Sequence, residues 1–287
     1  MAEARIAVMG GSGLYRMEGL ERAREVVVDT PFGAPSDAIT VGELEGVEVA
    51  FLPRHGRGHK YNPSEVPTRA NIYALKSIGV ERVISISAVG SLKEGIHPLD
   101  MMVPDQLIDR TMGRPSTFFQ GGIVAHVGMA EPFCPDLREA LIRWLQETTE
   151  NVHSEGVYVV MEGPAFSTRA ESFLYRSWGA SVIGMTALPE ARLAREAELC
   201  YATLACVTDF DVWHPDHADV TVAEVIANLQ NNVATAQGVL RRVLPRLDSV
   251  RECECANALD DAVITAPEHI SPEARERLGL LLGDRFG

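Results

Sequence analysis

The sequence predicts an α/β fold: a single domain with a central, mostly parallel or mixed β-sheet flanked by helices. Three observations carry this. Short β-branched apolar runs recur at residues 6–9, 47–52, 82–87, 157–161, 182–185 and 201–207, the pattern of strands buried on both faces. Segments of helical spacing alternate with them, which implies a largely parallel sheet. Each run also empties into small or polar residues, and ligands gather at the carboxyl ends of strands in such sheets.

In chain order, residues 6–9 form a strand running into the turn Gly10-Gly11-Ser12-Gly13. Residues 47–52 end in Pro53-Arg54-His55-Gly56-Arg57-Gly58-His59. Residues 66–79 read as a helix, with Ala70, Tyr73, Ala74 and Leu75 near helical spacing and Gly79 as the stop. Residues 82–87 lead into the turn Ala88-Val89-Gly90-Ser91. Leu137, Leu141 and Leu145 mark a helix over 135–146. The strand 157–161 reaches Glu162-Gly163-Pro164, and a helix spans 167–178. Another helix starts at Pro189, a residue suited to a first turn. The strand 201–207 empties into Thr208-Asp209-Phe210-Asp211, and a long helix covers 220–244 until Pro245 stops it. A last helix is capped by Ser271 with Pro272 behind it. Residues 1–250 form the expected domain, and 251–287 a tail packed on the same body.

The chain has 287 residues, 46% of them hydrophobic and 23% charged, enough to bury a sizeable core. Its formal net charge of −14 argues against an electrostatic grip on nucleic-acid phosphates. No apolar run approaches the ~20 residues that span a bilayer, and no signal-peptide core is evident, so a cytoplasmic protein is expected. Five cysteines (Cys134, Cys200, Cys206, Cys253, Cys255) are an odd number in a long chain, unlike a secreted disulfide scaffold. Cys253-Glu-Cys255 is not a zinc knuckle, because no second Cys or His pair follows it.

The Gly-rich turn lacks the third glycine of a dinucleotide fingerprint, its place being held by Arg16, and has no Gly-Lys-Ser/Thr ending. It suits one phosphate at most, or no ligand. The basic cluster 54–59 needs an anion or a carboxylate partner in so acidic a chain. Hydroxyls and backbone donors at Ser87, Ala88 and Thr186 could join Arg54 and His55 around phosphate, although ordinary turn chemistry uses the same groups. Asp209 and Asp211 could bind a metal, a ribose hydroxyl or a donor-rich base edge, or Asp211 could cap a helix; a calcium loop lacks its further ligands. Phe166 could stack on a flat ring, and Ser167 with Glu171 could cap a helix instead.

Taken together, Gly10-Gly11-Ser12-Gly13-Leu14, Pro53-Arg54-His55-Gly56, Gly90-Ser91-Leu92, Met129-Ala130-Glu131-Pro132-Phe133-Cys134, Glu162-Gly163-Pro164, Met185-Thr186, Pro189-Glu190 and Thr208-Asp209-Phe210-Asp211 closely resemble the methylthioadenosine phosphorylases of the trimeric purine nucleoside phosphorylase family. The resemblance covers about residues 5–245. It implies a nucleoside phosphorylase-like fold and phosphorolysis of methylthioadenosine, with inorganic phosphate as co-substrate and no metal or organic cofactor. It further implies phosphate held by Ser12, Arg54, His55, Ser87, Ala88 and Thr186. Met185 is expected against the ribose, Phe166 and Ser167 near the base, and Asp209 and Asp211 at the purine N6 and N7. His126, Val222 and Val225 match the 5′-methylthio pocket, with His126 contributed by a neighbouring subunit. A homotrimer, alone or as a dimer of trimers, is therefore implied.

Some relatives carry Thr where this chain has Ser12 and Ser87, which keeps the hydroxyl. Some heat-adapted relatives carry a similar Cys-x-Cys, which suggests a Cys253–Cys255 disulfide, with Cys134, Cys200 or Cys206 also paired; reduced thiols are the plainer expectation.

The chemistry is consistent with these roles. A departing purine leaves more easily if N7 is protonated, so Asp209 is the expected general acid, with a raised pKa. A 6-amino donor suits a carboxylate, which favours adenine over 6-oxopurines. Valines at 222 and 225 favour a methylthio group over a free 5′-hydroxyl, because burying that hydroxyl unpaired costs about 1–3 kcal/mol. Phosphorolysis of 6-oxopurine nucleosides or methylthioinosine, nucleoside hydrolysis, and nucleoside binding without catalysis are the rival expectations.

Overall fold

The structure, a computed structural model, describes residues 3–11, 17–217, 219–247 and 251–286. It contains eleven strands and six α-helices among these residues. The elements are β1 (Ile6–Gly10), β2 (Glu21–Val26), β3 (Ile39–Leu44), β4 (Val47–Pro53), α1 (Thr68–Ser77), β5 (Arg82–Ser91), β6 (Met101–Met102) and β7 (Gln106–Arg110). There follow α2 (Pro135–Gln146), β8 (Val152–His153), β9 (Val157–Met161), α3 (Arg169–Ser177), β10 (Val182–Gly184), α4 (Ala187–Glu196), β11 (Cys200–Asp209), α5 (Val222–Leu247) and α6 (Pro272–Leu282). One mixed sheet runs β2-β3-β4-β1-β5-β10-β9-β7, and β11 lies on β5 with β6 and β8 beyond it.

The middle of the sheet is parallel: β4, β1, β5 and β11 share one direction, so their carboxyl ends meet on one edge. β1 and β11 are buried along their whole length, which is why both read as unbroken apolar runs. β10 runs antiparallel to β5, pairing Ile183 with Gly90. This carries Met185 and Thr186 back from the end of β5 toward its middle, where Thr186 meets Ser87. No helix of the described residues is long and apolar enough to cross a membrane.

Several expectations change. Residues 88–91 continue β5 instead of turning, because β11 pairs along β5 to Gly90. β2 and β3 were not predicted; they form an antiparallel edge, and β2 carries mostly exposed Glu and Arg. The β3–β4 hairpin turns at Glu45 and Gly46, both at positive φ, the two-residue geometry that Asn-Gly would have announced more plainly. Pro245 lies inside α5 and does not stop it. The apolar face of Val239, Leu240, Val243, Leu244 and Leu247 stays buried through the proline, and Arg246 Nη1 donates to the Arg242 carbonyl at 2.6 Å.

Helix α3 starts one residue later than the Ser167 cap requires. Thr168 Oγ1 accepts from Glu171 N at 3.2 Å, while Glu171 Oε2 accepts from Thr168 N at 2.7 Å. Thr168→Ala should therefore lower stability by about 1 kcal/mol in urea unfolding. An unchanged midpoint would place the start of the helix elsewhere.

Candidate active site

The carboxyl ends of β4, β1, β5 and β11 bring most of the candidate residues onto one edge. Arg54, directly after β4, is 2% exposed and lies across this edge. Its Nε and Nη2 grip Glu190 of α4, Nη2 also donates to Ser85 Oγ at 2.7 Å, and Nη1 donates to the Ile86 carbonyl at 3.0 Å. Tyr201 Oη, from β11, donates to Glu190 at 2.8 Å. Burial works most strongly against the Arg54 charge, yet the Glu190 charge and hydrogen bonds together raise its pKa. The basic cluster thus finds a carboxylate partner. The bidentate face of Arg54 belongs to Glu190, leaving one Nη1 hydrogen without a described partner.

His55 is buried beside it and stacks on His59 with ring centroids 4.2 Å apart. Its Nδ1 lies 2.9 Å from the Tyr61 carbonyl, which can only accept, so Nδ1 carries the hydrogen. Burial first, and the Arg54 charge second, hold its pKa down at about 4. His55 is thus neutral at pH 7, with Nε2 an acceptor. Ser87 Oγ and Thr186 Oγ1 hydrogen-bond to each other, joining the middle of β5 to the segment after β10, and Ala88 follows half-buried. Ser12 lies outside the described residues.

Farther along the edge, β11 slips register between Val207 and Asp209, so that Asp209 faces Gly90. Thr208 Oγ1 donates to Asp209 Oδ2 at 2.7 Å, and Asp211 N donates to Oδ1 at 2.8 Å. Burial raises the Asp209 pKa above its ordinary value against these two bonds. A Cβ at position 90 would stand 2.7 Å from Asp209 Oδ1, so the site needs glycine there. Asp211 caps no helix with its side chain: its φ is +52°, and its carbonyl accepts from Val220 N at 3.2 Å. Burial raises its pKa too, opposed by the Ser172 and Ser167 hydroxyls beside it, and its Oδ2 is buried without a hydrogen bond. Phe166 is 39% exposed next to buried Ser167, and Met185 adjoins Thr186.

Val222 and Val225 sit on the first turn of α5 with Glu224, whose carboxyl feels the charge of Asp209. His126 is exposed and stands apart: its backbone N donates to the Ala262 carbonyl at 2.8 Å. No described hydrogen bond links it to the Asp209 group.

Sequence reasoning missed the residues that hold this edge in place. Asn228 Nδ2 donates to the Thr208 carbonyl at 2.7 Å, and Asn232 Nδ2 to the Val207 carbonyl at 3.0 Å, clamping the β11 irregularity from α5. Two asparagines four residues apart on a helix were the available signal. Buried Arg114 donates to the Met185 carbonyl at 2.5 Å and the Leu188 carbonyl at 2.8 Å, bracing the segment after β10. It sits in a loop without periodicity, so nothing marked it.

The arrangement defines a class: residues 5–245 match the phosphorylase superfamily, and the chain belongs to it. Within it, the chain is 55% identical to the S-methyl-5′-thioadenosine phosphorylase of Geobacter sulfurreducens, over 97% of this chain and 98% of that one. It is 57% identical to the enzyme of the same name from Synechocystis, over 100% and 89% of the two chains. A methylthioadenosine phosphorylase from an antarctic soil metagenomic library superimposes with a TM-score of 0.92 at 52% identity, covering 97% of this chain and 99% of that one. A Ser-to-Thr variant of the adenosine/methylthioadenosine phosphorylase of Schistosoma mansoni, solved with methylthioadenosine, gives 0.82 at 36% identity, covering 89% and 95%.

The His55 geometry has a pH signature in the ligand-free protein. The unfolded chain takes up the proton near pH 6.5 and the folded one near 4, so His55 contributes its full stability above pH 6.5. That contribution falls as pH drops toward 4, by roughly 3 kcal/mol at most. His55→Gln should flatten unfolding free energy against pH in this window, as read by urea titrations, and equal slopes would mean that the ring is solvated.

Proposed function

We propose that the chain catalyses phosphorolysis of S-methyl-5′-thioadenosine, giving adenine and 5-methylthioribose 1-phosphate in purine and methionine salvage. The single observation that carries it is Asp209: a buried carboxyl with a raised pKa, held by the β11 register slip on the same edge as the Arg54, Ser87 and Thr186 group.

In this reading, phosphate lies among Ser12, Arg54, His55, Ser87, Ala88 and Thr186. The Ser87–Thr186 bond opens so that both hydroxyls donate to it. Arg54 adds the one Nη1 hydrogen left over by Glu190, Ser85 and the Ile86 carbonyl. His55, with Nε2 an acceptor, takes a hydrogen bond from a protonated phosphate oxygen. The ribose lies against Met185, and the base near Phe166 and Ser167, with Asp209 and Asp211 at its N6 and N7.

As the C1′–N9 bond breaks, positive charge grows on the sugar and negative charge on the purine. Asp209 gives its proton to N7, and the orphaned Asp211 Oδ2 is placed to accept a hydrogen bond from the base. Phosphate oxygen then forms the new bond to C1′. One C–N bond is exchanged for one C–O bond and no electrons change hands, so the reaction is complete without a redox cofactor, and the donors present stabilise the charges without a metal.

Val222 and Val225 give the 5′-methylthio group an apolar wall. His126 is exposed, and no described hydrogen bond links it to its own Asp209 group, which supports delivery to a neighbouring subunit in a homotrimer or a dimer of trimers. Exposed Phe173, Leu174 and Trp178 on and after α3 supply an apolar surface of the kind that subunits bury. Five free thiols suit a reducing cytoplasm.

Incubation with methylthioadenosine, with and without phosphate, tests the reading by following free adenine. Release that depends on phosphate is expected. Phosphate-independent release would make the protein a nucleosidase, turnover of inosine or methylthioinosine alone would make it a 6-oxopurine enzyme, and binding without turnover would end the catalytic reading. Asp209→Asn should lower kcat/KM on methylthioadenosine by ~10²–10⁴-fold and favour 6-oxopurines relatively. His126→Ala should raise KM more for methylthioadenosine than for adenosine; equal changes would remove it from the 5′ pocket.

A further inference from the structure

The cysteines form a second centre. All five are free thiols, so the Cys253–Cys255 disulfide is not formed; the described sulfur contact of Cys253 is with Cys200, at 3.3 Å. The sequence offers no second pair beside Cys253-Glu-Cys255, but the fold supplies one. Cys134 ends the loop into α2, Cys200 opens β11, and Cys253 and Cys255 stand at the 3₁₀ turn Glu254–Asn257. Their four sulfurs lie within 4.8 Å of one another. Among the described residues this is the one group of Cys, His, Asp or Glu so arranged.

We propose that Cys134, Cys200, Cys253 and Cys255 are a structural binding site for a thiophilic divalent cation of the zinc type. A tetrahedral ion with Zn–S bonds of about 2.3 Å holds its sulfurs about 3.8 Å apart, which the 3.3 Å contact and the 4.8 Å limit bracket. The ligand set is closed, with four sulfurs and no room needed for water, as in structural and not catalytic sites. Cys134, Cys200 and Cys255 are 2% exposed or less, whereas Cys253 is half-buried and leaves an entry path. Binding exchanges the thiol protons for the metal and leaves a site of net charge minus two. Arg251 lies close enough for its charge to act on Cys200, and the N-terminus of α2 points its dipole at Cys134. Cys206 is buried on the same strand outside the group, so it is a built-in control.

The ion ties residues 251–286 to the body at the start of β11. The same tail pairs Val263 with Ala125 and holds the His126 backbone through Ala262. A role in presenting His126 rests on the function proposed above; metal binding does not.

Untagged protein, purified in reducing buffer without chelator, should carry about one zinc per chain by elemental mass spectrometry. Cobalt exchanged into it should give the d–d and sulfur-to-cobalt charge-transfer bands of a tetrahedral tetrathiolate. Cys253→Ser should lose both signals, and Cys206→Ser should keep both. Should Cys253→Ser fail to fold, the zinc content and cobalt spectrum of the unaltered protein still decide. Protein that takes up neither zinc nor cobalt while showing five titratable thiols overturns the proposal. So does protein whose cluster is locked in two disulfides, with one thiol titrating without reductant.

Discussion

The buried pair of Arg54 and Glu190 is the contact on which the rest of the edge depends. Through it β4, β5, β11 and α4 are joined at one point, because Ser85, the Ile86 carbonyl and Tyr201 all bond to one partner or the other. A buried ion pair adds little against a well-packed apolar substitute, but removing one partner strands a charge and costs about 3–5 kcal/mol. Its value here is positional: with the Glu190 carboxylate and all but one Nη1 hydrogen of Arg54 engaged, the segments that carry His55, Ser87 and Asp209 have one arrangement.

The same pair bears on how an acidic chain would host the proposed phosphate. Glu190 cancels the Arg54 charge, and His55 is neutral at pH 7. What remains at this edge is a set of hydroxyl and amide donors with fixed directions, in surroundings dry enough to make them strong. Such a site discriminates by hydrogen-bond geometry, so the surface charge of −14 has little leverage on it. Asp209 follows the same logic with the opposite sign. The register slip, Gly90 and the two asparagines of α5 bury a carboxyl where its charged form is disfavoured, the setting that the proposed proton donor needs.

Much of this was readable from the chain because it is local. Buried parallel strands declare themselves by composition; Arg54, Thr186 and Asp209 stand at or just past strand ends, and Ser87 ends the apolar run that marks the first part of β5. What was not readable is pairing across long separations. Nothing in the segment around Glu190 says that its carboxylate belongs to Arg54, 136 positions earlier. The exposed β2 lacks an apolar face to mark it, and Pro245 obeys the buried face of its helix over its own propensity. Ser167 read as the cap of α3, but Glu171 stands three residues after Thr168 and closes the capping box there, while Ser167 Oγ donates to Met161 Sδ at 3.7 Å.

The cysteines show the same limit most sharply, since a Cys-x-Cys pair is silent about the two thiols that meet it from residues 134 and 200. Their position also separates two kinds of control. Cys200 opens β11 and Asp209 closes it, so eight residues of fully buried strand lie between the cluster and the proposed acid. That strand is pinned independently near its carboxyl end by Asn228 and Asn232, and near its start by Tyr201 on Glu190. A change at the sulfurs therefore has little mechanical access to Asp209. The tail is held differently, through Cys253 and Cys255 at one end and the Ala125–Val263 bridge farther along. Loss of the cluster should thus be felt in the seating of the His126 segment before it is felt in the chemistry at the glycosidic bond.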